Sequence, residues 1–570
     1  MTRPIRIANC SGFYGDRLSA AREMLDGGPI DVLTGDYLAE LTMLILWKSR
    51  RKDPAKGYAT TFLRQMQDVL ATCVERGVKV VANAGGLNPA GLAAALADLG
   101  TGARIAYLDG DDLSPRIAEL QADGHEFVNL DTGVPLAKAE LPVVTANAYL
   151  GGWGIAAALE AGADVVICPR VTDASLVVGP AAWWHGWARD DFDALAGAVA
   201  AGHVIECGPQ ATGGNYSFLA EITDRRPPGF PIAEVAADGS SVITKHPDTG
   251  GLVSVGTVTA QLLYEIDRPA YANPDVTAHF DTVSLSQVAA DRVAITGTTG
   301  SPPPPTLKVA LNMLGGYRNT MTMVLTGLDL EAKAAWATEL LFTGSDYDEA
   351  DVRLLRFADP PDVAHLRIVV KDADEAKVGR AFSDRLQALA LASYAGFHTT
   401  TPPTAASAYG IYWPTLVSPS VVTQTVHMPD GTSVVVPHTP GTVLPSKPPP
   451  ASKTAVLGGP SIEVPLGRLF GARSGDKGGN ANVGVWARDD RAYAWLRHEL
   501  TADRLRSLLP ETGDLAVRRY ELPNLRALNF VVEGIIAPGV AATTRPDAQA
   551  KGLGEQLRAQ RVTVPSALLE

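Results

Sequence analysis

A chain of 570 residues is too long for one ordinary hydrophobic core, and its size implies roughly three domains. With 46% hydrophobic and 19% charged residues it has the balance of a folded protein, and a net charge of −13 argues against a nucleic-acid surface as its main business. Its four cysteines, Cys10, Cys73, Cys168 and Cys207, are widely spaced and form no C-x-x-C pair, so neither a zinc site nor a disulfide framework is indicated.

The first residues read as a strand and lack the apolar core of a signal peptide, and no apolar stretch has the length to cross a bilayer. A soluble cytoplasmic protein is expected, with no membrane and no nucleic-acid partner. Short apolar runs follow at residues 5–10, 30–33, 79–83, 104–109, 143–147 and 164–168, separated by helical stretches of ten or more residues. That alternation predicts parallel β/α units, because a parallel crossover needs that much chain. Residues 1–250 are therefore read as a parallel α/β domain. The loops after these strands share polar and small residues: Asp16 and Arg17, Asp36, Asn83 with Gly85 and Gly86, Asp109, Asn147, then Arg170 and Asp173. Glu206 and Cys207 are read as following another buried strand, with Asn215 beyond them. Small residues let a ligand approach the backbone, and amides and carboxylates supply directional hydrogen bonds. Each loop alone is explained as well by helix capping and turns. Their recurrence points to a pocket beyond the carboxyl ends of the strands.

Residues 251–435 mix strands and helices and predict an α+β subdomain packed on the first, with paired glycines at 315–316 read as a turn after a strand. Proline-rich residues 436–460 read as a stiff linker. Residues 461–570 form a small C-terminal α+β module with helical stretches at 491–509 and 547–561. Its strongest feature is Arg473-Ser474-Gly475-Asp476-Lys477-Gly478-Gly479-Asn480. The segment lacks P-loop spacing and fits either an anion-binding nest or a hairpin between domains.

The stretches Ser11-Gly12-Phe13-Tyr14-Gly15-Asp16-Arg17, Thr34-Gly35-Asp36-Tyr37, Asn83-Ala84-Gly85-Gly86 and Glu206-Cys207-Gly208-Pro209-Gln210 resemble the acyclic terpene utilisation (AtuA-type) family. The Arg473 to Asn480 stretch resembles the ferredoxin-like domain often fused to it. The resemblance implies catabolism of acyclic terpenoids through acyl-CoA intermediates, with a lyase or hydratase step on a branched 3-hydroxyacyl-CoA. The ferredoxin-like label describes a fold here, since the C-terminal module has no cysteine to hold an iron-sulfur cluster.

An acid/base lyase or hydratase acting on a (3-hydroxy)acyl-CoA or related carboxylate is the leading expectation. Asp36, Glu206, Asp16 and Asp173 are the catalytic candidates. Arg17, Asn83, Gly85, Gly86, Asn147, Arg170, Asn215, Arg473 and Lys477 are the substrate-binding candidates. No metal is assigned: Asp36, Asp109 and Asp173 are carboxylates without a metal-specific spacing. No cofactor is assigned beyond a CoA thioester as part of the substrate. The partner is a small molecule, and a homo-oligomer is expected. Two alternatives stand beside this reading, a non-catalytic ligand-binding or assembly protein and a nucleotide-dependent enzyme.

Overall fold

The computed structural model describes residues 3–443 and 459–569. Most of the expected linker, including Pro445 and Pro448 to Pro450, lies outside the described residues.

The expected parallel strands form β1 (Ile5–Asn9), β2 (Val32–Gly35), β3 (Lys79–Ala82), β4 (Ile105–Asp109), β5 (Val143–Ala148) and β6 (Val165–Ile167). Five of them make a parallel array in the order β1-β2-β3-β6-β4. They are short, and β2 and β6 are buried at every residue, which explains why those two read as apolar runs without alternation, whereas β4 alternates half-buried and buried residues. Antiparallel strands extend the array to eleven: β7 (Pro231–Val235), β8 (Ser241–Lys245) and the Ser284–Ala289 and Arg292–Thr296 strands on one side, Thr425–His427 and Ser433–Val435 on the other.

β5 departs from the expectation. It leaves the parallel sheet and pairs antiparallel with the Leu307–Thr326 strand, placing Asn147 opposite Ala310. That 20-residue strand is the axis of a second sheet with Glu349–Arg356, Val363–Asp372 and Ser407–Val417. It runs through Gly315 and Gly316 instead of turning there. The register shifts between Leu314 and Gly316, and Gly316 takes φ +124°, so the glycines form a bulge that bends one continuous strand. The two N-terminal regions are interwoven, because β5 serves the second sheet while residues 284–296 and 425–435 serve the first.

The segment before Glu206 is also different: it is the end of the Phe192–Ile205 helix, and Glu206 caps it. Every residue from Ala194 to Ile205 is buried. A helix apolar on all sides belongs inside a protein and presents no helical stripe to read. Its glycines permit close contact, since a Cβ at Gly197 would lie 2.2 Å from the Gly239 carbonyl oxygen.

The C-terminal module is an antiparallel four-stranded sheet of Phe470–Lys477, Asn480–Ala487, Ala527–Val532 and Val517–Leu522, in that spatial order. The helices Asp490–Glu499, Ala502–Leu508 and Leu553–Ala559 accompany it, and it has its own core. The predicted 491–509 helical stretch is thus two helices, the second capped by Thr501. The module docks on residues 263–267. Asn482 accepts from the Glu265 amide at 2.8 Å and donates to the Leu263 carbonyl at 2.6 Å, while Asn529 donates to the Asp267 carbonyl at 2.9 Å.

Candidate functional site

The carboxyl ends of the parallel strands gather a buried polar cluster, as expected where loops leave an open α/β sheet. Asp36 follows β2 and accepts a hydrogen bond from Asn83 Nδ2, at the end of β3, at 2.6 Å. Asn83 in turn accepts from the Tyr37 amide at 2.8 Å, so its side chain is tied twice to the loop that follows β2. Arg170 and Asp173 follow β6. Arg170 is 4% exposed, donates to the Leu38 carbonyl at 2.8 Å, and comes within 3.2 Å of Asp173 Oδ1. Its guanidinium lies 4.2 Å from the Tyr149 ring centre. Asp111, just beyond β4, accepts from the Asn147 side chain at 2.8 Å and from the Arg170 amide at 3.2 Å.

The helix cap brings Glu206 to the same place, buried, with His203 Nδ1 3.3 Å from one carboxyl oxygen and the other oxygen without a hydrogen bond. The C-terminal module reaches the cluster with its Phe470–Lys477 strand. Lys477 lies 5.6 Å from the Tyr271 ring centre and Arg473 4.3 Å from that of Tyr264. A Cβ at Gly475 would stand 2.4 Å from the Tyr264 ring, so glycine lets this strand approach. The segment is a hairpin between domains, turning at Gly478 with φ +66°, and Asp131 accepts from the Gly479 amide at 2.9 Å.

These groups share one electrostatic environment. Burial pushes the Asp36 carboxyl well up, Asp173 and Glu206 raise it further, and Arg170 and the Asn83 hydrogen bond oppose the rise. Glu206 is likewise driven well up by burial, then by Asp173 and Glu265, against the pull of Lys477 and Arg170. Burial pushes Asp111 up to about 7, with Asp112 adding to it. His203 is pushed down to about 4 by burial and by Lys477, so it is neutral near pH 7. Two carboxyl groups that repel each other in a dry site titrate as a set and hold a proton at neutral pH. Such an arrangement offers a proton donor and a proton acceptor within one cluster.

The other sequence candidates fall elsewhere or serve the fold. Asp16 accepts from the Gly12 and Arg17 amides and so closes its own turn. Arg17 pairs with Glu23 at 2.7 Å and lies over Phe230. Gly85 donates its amide to the Cys168 carbonyl, and a Cβ there would meet that oxygen at 2.6 Å. Gly86, with φ +52°, backs onto Leu46. Asn215 is exposed with φ +58°. Asp109 faces His427 at 2.7 Å, away from Asp36 and Asp173, so those three do not make one set. Among the described residues no group of three or more His, Cys, Asp or Glu side chains is arranged to hold a metal ion. His185 stacks on Trp187 and bonds the Val235 carbonyl.

Sequence reasoning missed Asp111, His203, Glu265, Tyr149, Tyr264 and Tyr271. Asp111 stands two residues beyond Asp109 in the same acidic turn, which was the available signal; His203 lies in an all-buried helix, Tyr271 in a three-residue strand, and Tyr149, Tyr264 and Glu265 just beyond the ends of elements. Two surface concavities, one between Leu466 and Trp495 and one between Leu25 and Arg76, are separate from this cluster and hold no comparable set of acids.

An interwoven α/β body with a small antiparallel α+β module docked over its strand ends defines the class. The family described as acyclic terpene utilisation family protein AtuA matches residues 5–428, and the AtuA ferredoxin-like domain matches residues 464–563. The chain belongs to this AtuA family, whose description assigns it a role in acyclic terpene utilisation. No curated protein and no solved structure matches the chain. No described helix is long and apolar enough to cross a membrane.

Proposed function

We propose that the protein is a cytoplasmic acid/base enzyme, a lyase or hydratase acting on a (3-hydroxy)acyl-CoA or related carboxylate. The observation that carries this reading is the pair of buried acids Asp36 and Glu206 beside the half-buried Asp173, in which Asp36 and Glu206 are held well above the ordinary carboxyl range between Arg170 and Lys477. In a lyase step an ionised carboxylate takes the proton of the 3-hydroxyl, the C2–C3 bond breaks, and the electrons pass to the thioester or carboxylate as an enolate. The neutral carboxyl then protonates C2. In a hydratase step the carboxylate takes the C2 proton and the neutral acid protonates the departing hydroxyl, which leaves as water. Both need a cation or donor beside the enolate oxygen, a role suited to Arg170 or Lys477.

Asp173 is the candidate for the accepting carboxylate, with Arg170 3.2 Å from it. Asp36 and Glu206 are the proton donors. Substituting Asp36→Asn and Glu206→Gln keeps shape and hydrogen bonding but removes the transferable proton, so turnover of a 3-hydroxyacyl-CoA should fall at least about a hundredfold in each. Substrate binding by calorimetry should persist. Unchanged turnover in both variants would remove Asp36 and Glu206 as the proton-transfer groups, and binding without turnover by the wild type would make the protein a non-catalytic binder.

A further inference from the structure

Lys308 carries a charge that no described acid neutralises. It is the second residue of the Leu307–Thr326 strand, is half-buried, and has rings as its side-chain partners. Its ammonium lies 4.9 Å from the ring centre of Tyr149 and 5.7 Å from that of Tyr412. Both tyrosines are buried. Arg170 occupies the same Tyr149 ring at 4.2 Å.

The strand register explains this gathering. Ala310 stands opposite Asn147, and Asn312 opposite Tyr412, so Lys308, Ala310, Asn312, Asn147 and Tyr412 share one face of the second sheet. That face covers the strand ends where Asp111 and Arg170 lie, as the Asn147–Asp111 hydrogen bond shows. The Asn147 side-chain oxygen Oδ1 is buried without a hydrogen bond. On the inner side the cluster continues to Tyr271, whose hydroxyl feels Glu206, Asp173 and Tyr149.

A lysine taken partly out of water without a counter-ion is costly, and ring faces offset only part of that cost. Two cations on one buried tyrosine, Arg170 also within 3.2 Å of Asp173, set positive charge beside the acidic cluster. An anion held there leaves the rest of its molecule pointing at Asp173 and Glu206. A carboxylate fits this better than an enolate oxygen, because its two oxygens can meet two cations.

We infer that Lys308 and Arg170 bind a free carboxylate of the ligand over the Tyr149 ring, so that the preferred ligands are acids carrying a carboxylate besides the group that reacts. That the ligand reacts rests on the acid/base reading; the anion site does not. A coenzyme phosphate would use the same charges, and the test separates the two.

Glutarate and inorganic phosphate are titrated calorimetrically into the full chain, its Lys308→Met and Lys308→Arg variants, and Asp36→Asn. Glutarate should bind the wild type, weaken about 10- to 100-fold in Lys308→Met as for loss of one charged hydrogen bond, and recover in part in Lys308→Arg. An unchanged unfolding midpoint in Lys308→Met shows that the fold is kept. Equal glutarate affinity in wild type and Lys308→Met, no glutarate binding by the wild type, or a Lys308-dependent preference for phosphate each overturns the proposal. If Asp36→Asn keeps full turnover while glutarate still depends on Lys308, the catalytic reading fails and the anion site stands.

Discussion

Asn83 Nδ2 donates to Asp36 Oδ1 at 2.6 Å while its own carbonyl accepts from the Tyr37 amide at 2.8 Å, so one amide fixes the carboxyl that the neighbouring strand delivers. This bond favours the ionised form of Asp36 and partly offsets its burial. In Asn83→Ala the carboxyl should therefore rise further, and the limb of the pH–rate profile governed by Asp36 should move to higher pH. Loss of the buried amide also leaves the Tyr37 N–H unsatisfied, a cost of about 1–3 kcal/mol in urea unfolding. A profile that stays in place would separate Asp36 from the titration.

Stability should depend on pH through Asp111 and His203 with opposite signs. Asp111, pushed up to about 7 chiefly by burial, keeps its proton when folded over a range in which the unfolded chain has lost it. The folded state then holds more protons, so this contribution is greatest below about pH 4 and is lost as pH rises to about 7, at most of order 4 kcal/mol. His203, pushed down to about 4, stabilises above its ordinary value and loses that contribution as pH falls towards 4. Asp111→Asn should lose the first slope alone. Urea unfolding of both proteins at about pH 5 and about pH 8 measures it, and parallel changes would remove Asp111 as the cause.

Much of this site was legible because its residues end strands. Asp36, Asn83, Arg170 and Asp173 follow short apolar runs, and a parallel sheet aligns the ends of such runs whatever the loops contain. Glu206 was legible as a residue, while its setting was not: a helix buried on all sides has no period that distinguishes it from a buried strand. β5 shows the other limit, since nothing local in residues 143–148 says that their partner lies more than 150 residues away at residues 309–313. The docking of Lys477 against Tyr271 is of the same kind. Pairing over such distances is decided by surfaces that only the folded chain possesses.

The fit of the C-terminal module should govern activity. Asn482, wholly buried, accepts from the Glu265 amide and donates to the Leu263 carbonyl and to Asn529. Asn482→Ala leaves these partners unsatisfied at a cost on the order of 3 kcal/mol. Gly475→Ala acts on the same contact sterically, because its Cβ would stand 2.4 Å from the Tyr264 ring. Both should lower turnover by withdrawing Lys477 while leaving the parallel sheet folded, and both should lower the midpoint of urea unfolding. Normal turnover with a lowered midpoint would mean that Lys477 is dispensable.

Cys207 adjoins the catalytic candidate Glu206, and its chemistry decides whether a covalent route exists. Burial pushes its thiol well up, and Glu206, Glu265 and Asp36 push it further, against the weaker opposing pull of Arg473. The thiolate is the reactive form, so a thiol in this setting is a poor nucleophile at neutral pH. Its backbone also packs on Gly12, where a Cβ would come within 2.5 Å of the Cys207 carbonyl carbon. Cys207→Ala should therefore keep turnover within about threefold of wild type, far from the hundredfold loss expected of a proton-transfer residue. Alkylation by iodoacetamide should be slow in the folded chain and rapid after unfolding. Loss of turnover in Cys207→Ala, together with fast labelling of the folded protein, would instead make the thiol the reacting group and Glu206 its base.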